Sequence, residues 1–371
     1  MARTIIGVND PKAVKRWAGL LAYDTSQKSY FNQRFMARGA EAEVPIQILT
    51  DLESDAGEAI SYDLLAELRM APVEGEDILE GKEEAQRFYS DSIYIDQARC
   101  GVNTGGRMTR KRTLNDLREK AKRQQSSWWA RLQDELTFIY LAGARGVNAN
   151  YLLPLGYTGR ASNALVSPDT NHTLYGNVAT AYNNIAATDK MDLRLIDRAK
   201  TKADAQGGGA TNIPVLQPCK IDGQEAFVCV MHTFQEDDLR SNTSTGQWLD
   251  IQKAAAAAEG RANPMFKGSL GSYRGVILHS HRNVVRFSNA GAGANIEAAR
   301  SLFMGSQAAV MAFGSPGTNL RFDWNEETRD NGDKVVISTS SIFGVKKVTF
   351  TTETGANDFG VFSLDTAAAS R

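Results

Sequence analysis

Thr113-Leu114-Asn115-Asp116-Leu117-Arg118-Glu119-Lys120-Ala121-Lys122-Arg123 opens the longest periodic run in this sequence of 371 residues, and Leu136-Thr137-Phe138-Ile139-Tyr140-Leu141-Ala142-Gly143-Ala144-Arg145-Gly146 closes it. Between them Leu114, Leu117, Ala121, Trp128, Leu132, Leu136 and Ile139 recur at spacings of three, four and seven, which puts them on one helix face. Thr113 is the expected N-cap, and Asp116 complements the helix dipole in the first turn. Gly143 and Gly146 are natural stops, because glycine takes the left-handed conformation that ends helices. Thr113 to Ala142 predicts roughly 45 Å of helix, long for a globular domain and suited to a structural spine.

Charge is distributed unevenly on either side of the helix start. Asp51, Glu53, Asp55, Glu58, Asp63, Glu67, Glu74, Glu76, Asp77, Glu80, Glu83 and Glu84 face only Arg69 and Lys82. The sign then inverts at Arg107, Arg110, Lys111, Arg112, Arg118, Lys120, Lys122 and Arg123, against Asp116 and Glu119. With a net charge of −1, the chain has sorted its signs into neighbouring blocks. Attraction between the acidic block of one copy and the basic block of the next is heterologous, and heterologous contacts build rings or open arrays. The basic block has two other readings: a solvated helix face with internal pairing, and a nucleic-acid contact.

The remaining pattern is mixed. Pro11 suits a first helical position after Asp10 as N-cap, and Val14, Trp17 and Leu21 share a face. That helix reads either as an arm that packs on something else or as the first helix of the core. Val44, Ile46 and Ile48 alternate, as do Ile60, Tyr62 and Leu64, then Ile93 and Ile95, predicting strands. The poorly apolar connection Ala66 to Phe88 carries much of the acidic block and is expected to project from the body. Val147 to Ala186 reads as loop-rich. Helices are expected over Asp192 to Ala205 and Trp248 to Gly260, with a flexible glycine loop from Gly207 to Gly209. Strands are expected over Ile213 to Leu216, Ala226 to His232, Val276 to Phe287, Lys334 to Ser338, Val345 to Thr351 and Phe359 to Leu364. Ile296 to Phe313 reads as a helix followed by a strand. There is no regular βαβ alternation, so the fold class is α+β.

Hydrophobic content of 42% and charged content of 23% are ordinary for a globular protein. Balanced charge argues against whole-surface binding to nucleic acid or membrane. Three cysteines make no disulfide framework and suit a reducing compartment. The first ten residues do not read as a secretory signal, and no apolar run approaches the roughly 20 residues of a membrane span. The expectation is a cytosolic protein without a membrane partner.

Chemistry-bearing patterns are weak. Phosphate-cradling loops and the nucleophile-elbow spacing are missing. His279 and His281 share a strand face and offer two metal ligands without a third nearby. Cys219, Cys229 and His232 lack zinc-knuckle spacing, so buried cysteine is the better reading. The crowded carboxylates have few apolar neighbours to shift them toward catalysis. The reading is no enzyme, with no catalytic residue, cofactor or metal. A metal-dependent enzyme built on His279 and His281 stands as the contrasting hypothesis.

Several segments resemble a known family. Gln47-Ile48-Leu49-Thr50-Asp51-Leu52-Glu53-Ser54-Asp55-Ala56-Gly57 looks like that family's entry into an extended loop. Leu79-Glu80-Gly81-Lys82-Glu83-Glu84, with Arg87-Phe88-Tyr89 after it, looks like the return. Gly105-Gly106-Arg107-Met108-Thr109-Arg110-Lys111-Arg112-Thr113 resembles the start of the spine helix, and Leu136 to Gly146 its end. Trp248 with Ile251-Gln252, and Gly271 to Val285, are also similar. The chain thus resembles the HK97-like major capsid proteins of tailed double-stranded DNA bacteriophages, short-tailed ones above all, over about Gly7 to Val285.

The resemblance implies an N-terminal arm (1–42), an extended β-loop with flanking strands (43–106), a spine helix in a peripheral domain (107–146), a mainly axial domain (147–343) and C-terminal strands and tail (344–371). It implies self-assembly into hexamers and pentamers of an icosahedral shell around packaged DNA, with portal, scaffolding and decoration proteins as partners. DNA would touch the inner face non-specifically. The protein would be made in the host cytoplasm and reside in the virion. The alternative is a nanocompartment shell of the same fold enclosing protein cargo. The intersubunit contact candidates are Glu74, Glu76, Asp77, Glu80, Glu83 and Glu84 on the loop, Arg107, Arg110, Lys111 and Arg112 at the spine's start, and Trp17 on the arm.

Overall fold

In the computed structural model the long helix is 26 residues, Leu117–Ala142, about 39 Å in length. The structure describes residues 11–39, 43–53, 57–65, 70–75, 77–83, 85–86, 88–113, 116–206, 215–221, 224–242, 270–315, 320–352 and 355–370. Its described helices are α1 (Pro11–Lys28), α2 (Tyr30–Arg34), α3 (Arg107–Arg112), α4 (Leu117–Ala142), α5 (Leu193–Gln206) and α6 (Thr233–Ser241). The expected start at Thr113 is displaced. Asp116 is the N-cap, its carboxylate accepting from the Arg118 and Glu119 amides, and Thr113 is extended at φ −102°. The basic block is therefore divided between a short helix and the first turns of α4. At the other end Gly143 adopts φ 67° and stops the helix, as expected.

Every residue of α4 from Leu132 to Ala142 is buried, because this half is clasped between two sheets. The first sheet has six strands. Met36–Arg38, Ile46–Leu49, Ala309–Gly314, Lys334–Lys347 and Asp323–Arg329 follow in that order, and Asp96–Asn103 also pairs with Lys334–Lys347. Its first two junctions are parallel and the rest antiparallel. Trp129 of α4 inserts here, donating from Nε1 to Thr339 Oγ1 at 2.9 Å. Helix α1 packs on α4 and on Asp323–Arg329.

The second sheet has eight strands, with Gln224–Met231, Ile296–Met304 and Val361–Ala367 at its centre. Leu195, Ile196, Ala199 and Ala203 of α5 cover one face, against Phe227, Cys229, Phe303 and Phe362. Ala142 at the end of α4 accepts a 2.8 Å hydrogen bond from Arg300, tying the spine to this sheet.

The loop-rich reading of residues 147–186 holds, and α4 organises it. Buried Glu135 accepts from the Leu152 and Leu153 amides, both at 2.7 Å. The Tyr140 hydroxyl donates to Asn163 O at 2.8 Å and accepts from the Arg160 amide at 2.8 Å. A loop can pack this closely only if its backbone groups find such partners.

Three sequence expectations change. Residues 296–313 contain no helix: Ile296–Met304 and Ala309–Gly314 are both strands, joined by a turn with Gln307 at φ 54°. Short apolar runs do not distinguish buried strand from buried helix by period. Residues 276–287 are broken into Val276–Ser280 and Arg286–Ala290 by a turn around Arg282. Val215 and Leu216 are not in a strand, and the expected helix over residues 248–260 and the glycine loop lie outside the described residues.

Candidate assembly surface

Ala59–Leu65 and Phe88–Tyr94 form an antiparallel hairpin, in register from Ala59 opposite Tyr94 to Leu65 opposite Phe88. Ile60 and Ile93 are buried at its base, against Val310, Val348 and Phe350. Lys346 clamps that base by reaching the Asp91 carboxylate and, at 2.8 Å, Ser92 O. Tyr62 donates to the other Asp91 oxygen at 2.8 Å. Beyond the hairpin, every described residue of 70–86 except Val73 is exposed. Here lie Glu74, Asp77, Glu80 and Glu83; Glu76 and Glu84 fall outside the described residues. Asp77 pairs with Lys82 at 3.4 Å, and Glu83 accepts from the Gly81 amide at 2.8 Å. Ile78 and Leu79 are 71% and 52% exposed in the middle of these acids.

On α3 the basic side chains separate into two kinds. Arg110 is half-buried and donates to Asp333 O at 2.9 Å, while the Asp333 carboxylate accepts from the Arg107 amide at 3.0 Å. Lys111 and Arg112 are exposed and make no ion pair among the described residues. Further along, Arg118 pairs with Glu326 at 2.6 Å and Lys122 with Asp24 at 2.8 Å. So the structure spends part of the basic block within its own chain. The holding residue Asp333 sits in the turn after Asp323–Arg329, a strand the sequence reading did not find. Its signal was Asp330-Asn331-Gly332, a turn sequence in which all three residues have positive φ.

Trp17 stacks on Trp324 with ring centroids 5.7 Å apart, and the Arg118 guanidinium lies 4.8 Å from its ring. Ala18 and Leu21 of α1 are buried in the main core. The chain then turns into α2, whose N-terminus is held by the buried carboxylate of Asp134 on α4. It accepts from Ser29 Oγ at 2.7 Å, Tyr30 N at 2.9 Å and Phe31 N at 3.3 Å. Burial outweighs these donors and pushes the Asp134 carboxyl up to about 6. Sequence reading missed Asp134, since its helical position gives no sign that another helix begins on it.

His279 and His281 come together, but among rings. His279 meets Phe35 edge-on at 5.1 Å, and His281 stacks on Phe138 at 5.1 Å and lies 4.4 Å from Tyr30. Burial lowers His281 to about 4, helped by nearby Arg282 and Arg34. No group of three or more metal-ligating side chains occurs among the described residues. Cys219 and Cys229 are buried free thiols, both raised to about 12 by burial. His232 instead caps α6, accepting the Phe234 amide on Nδ1 at 3.1 Å.

The sequence profile of the phage capsid protein family matches residues 5–370. The chain belongs to that family. It is 27% identical to the major capsid protein of Pseudomonas phage KPP25, over 90% of both chains. The solved capsid of Ralstonia phage GP4 is similar at 47% identity, covering 100% of this chain and 99% of that one with a TM-score of 0.86. A capsid subunit of cyanophage Pam1 shares the fold at 21% identity and a TM-score of 0.69, over 93% and 94% of the two chains. This capsid protein has the HK97-like α+β fold, and its function is that of a major capsid protein in a phage shell. A nanocompartment shell is not favoured, since these relatives are phage capsids.

Proposed function

We propose that this capsid protein assembles as hexamers and pentamers into an icosahedral shell around a packaged double-stranded DNA genome, as in a short-tailed phage. The observation that carries the reading is end-to-end likeness to the GP4 capsid, at 47% identity over 100% of the chain. The role is architectural and needs no turnover or cofactor. Its parts are an arm (1–42), an extended loop with its strands (43–106), a spine (107–146), a mainly axial domain (147–343) and a C-terminal region (344–371). Portal and scaffolding proteins complete the shell, a decoration protein binds outside, and DNA touches the inner face without sequence preference. Synthesis takes place in the host cytoplasm.

In this reading, copies meet head to tail, the loop acids Glu74, Glu76, Asp77, Glu80, Glu83 and Glu84 facing positive charge on the neighbour. Arg107, Lys111 and Arg112 offer that charge, Arg110 shapes the helix that presents them, and half-buried Trp17 edges the contact. Each pair is weak, and many copies make the shell stable through multivalency. Electron microscopy of the purified protein at several salt concentrations tests this. Closed shells, sheets or tubes are expected; chains that stay monomeric at every salt concentration would overturn it.

A further inference from the structure

A cleft of about 450 Å³ opens between α1, α2 and the first sheet. Its floor is apolar: Ile48, Phe313 and Phe322 line it and are each at most 5% exposed. Its wall carries two arginines. Exposed Arg38 stands at the rim, and Arg321 lies across Phe313 with its guanidinium carbon 4.2 Å from the ring centroid. Arg321 donates from Nε to Glu53 at 2.8 Å, but its Nη2 is buried without a hydrogen-bond partner. Thr25 Oγ1, also lining the cleft, is likewise buried and unpartnered.

Among the described residues, Glu53 is the carboxylate set against the Arg321 charge. Burial lowers the Arg321 pKa, Glu53 opposes that, and neighbouring Arg38 lowers it further. Two guanidiniums therefore lie near each other in a partly dry site, and Glu53 is held by Arg321. An arginine fork is built to take a carboxylate on two parallel N–H groups, and here one prong is unused. The cleft thus asks for an acidic group attached to something apolar.

The loop tip has that composition. Ile78 and Leu79 are exposed, Glu80 follows them, and Glu80 makes no ion pair among the described residues while Asp77 has Lys82. We infer that the cleft seats the loop tip of a second copy of this chain, with Glu80 on Arg38 and Arg321 and Ile78 and Leu79 on the apolar floor. The inference rests on the head-to-tail reading above and gives that contact a specific seat. Lys111 and Arg112 remain for the other acids of the loop.

Disulfide trapping tests the pairing. Chains carrying Arg38→Cys are mixed with chains carrying Glu80→Cys, assembled and oxidised. A disulfide needs Cα atoms about 4.4–6.8 Å apart, so only a direct meeting is trapped. A linked dimer is expected in the mixture and not with either variant alone or the wild type, whose own three cysteines serve as the control. Arg38→Glu is expected to lower shell yield at least tenfold at low salt, and adding Glu80→Arg in the same chain to restore it. Wild-type shells that form while no mixed dimer appears with Glu80→Cys, Leu79→Cys or Ile78→Cys would overturn this seat and leave the assembly reading standing. A bond formed inside single unassembled chains of an Arg38→Cys/Glu80→Cys double variant would make the loop's own chain the occupant. Wild-type chains that never assemble would overturn both readings.

Discussion

Asp134 on the spine helix and Ser29 at the start of α2 share a buried 2.7 Å hydrogen bond, which fixes the N-terminal helices to the body. The carboxylate serves two backbone amides as well, so one side chain caps a neighbouring helix from outside. The ring of Tyr30, just after the cap, lies 4.4 Å from His281. An acid and a base whose pKa values burial moves in opposite directions thus meet at one junction.

That junction predicts a pH response. The Asp134 carboxyl is raised from 3.8 to about 6, so the folded state binds its proton more tightly than the unfolded state does. Its contribution falls as pH rises through that window, by about 3 kcal/mol. His281 is lowered from 6.5 to about 4, so its contribution is lost as pH falls through a nearly overlapping window. The two slopes oppose each other in the wild type. Asp134→Asn is expected to steepen the loss of stability on acidification from pH 6.5 to 4, and His281→Phe to flatten it. Urea midpoints at pH 4.5 and 7 measure both; parallel wild-type and variant profiles would contradict the assignment.

Gly143 ends the spine with φ 67°. A Cβ there would run into the backbone of Val166 and Ser167. Left-handed backbone alone costs a residue with a side chain roughly 1–2 kcal/mol. Gly143→Ala is therefore expected to destabilise by more than about 2 kcal/mol in equilibrium denaturation, with the far-ultraviolet helical signal of the folded state retained.

Lys347 and Asp358 form an ion pair at 2.6 Å with both side chains 2% exposed, yet the ammonium lies outside hydrogen-bonding angles. Burial lowers the Lys347 pKa and raises that of Asp358, so the pair returns little for its desolvation. Breaking a buried pair strands the remaining charge, at about 3–5 kcal/mol, whereas removing both charges is close to neutral. Lys347→Met is expected to cost that amount, and Lys347→Met/Asp358→Asn to recover most of it in the same denaturation assay.

Legibility in the sequence followed the range of the interactions. The spine, the hairpin base at Ile60 and Ile93, and α5 are governed by local period and capping, and all three appear where the pattern places them. Thr113 and Asp116 are both good caps, and spacing alone could not rank them. Asp116 is the residue whose carboxylate reaches the helix amides. Ile296–Met304, expected as helix, is a central strand buried over most of its length, which removes the alternation that marks a strand. At the assembly surface the charge blocks were visible, but Asp333 and Glu326, which consume Arg110 and Arg118, lie more than 200 residues away in sequence. The unpartnered Nη2 of Arg321 was invisible because its neighbours Arg38 and Glu53 come from a distant part of the chain.

Separating the basic cluster by its local duties sharpens the test of its role. Lys111 and Arg112 are exposed on α3 and bind nothing among the described residues, so Lys111→Glu/Arg112→Glu removes only what they offer to another copy. Surface substitutions of this kind usually shift stability by less than about 0.5 kcal/mol. Arg110 donates to Asp333 O, and Arg110→Glu is expected to cost about 1 kcal/mol of stability besides any effect on assembly. The double variant should keep the wild-type denaturation midpoint yet fail to form shells at low salt. Reversing Glu74 and Glu83 to lysine should restore assembly in part. Screening shortens electrostatic reach to about 10 Å at 0.1 M salt, so wild-type yield should itself decline as salt rises. If the double variant assembles with wild-type yield and salt dependence, these two cations are solvated surface, and the head-to-tail attraction acts elsewhere on the subunit.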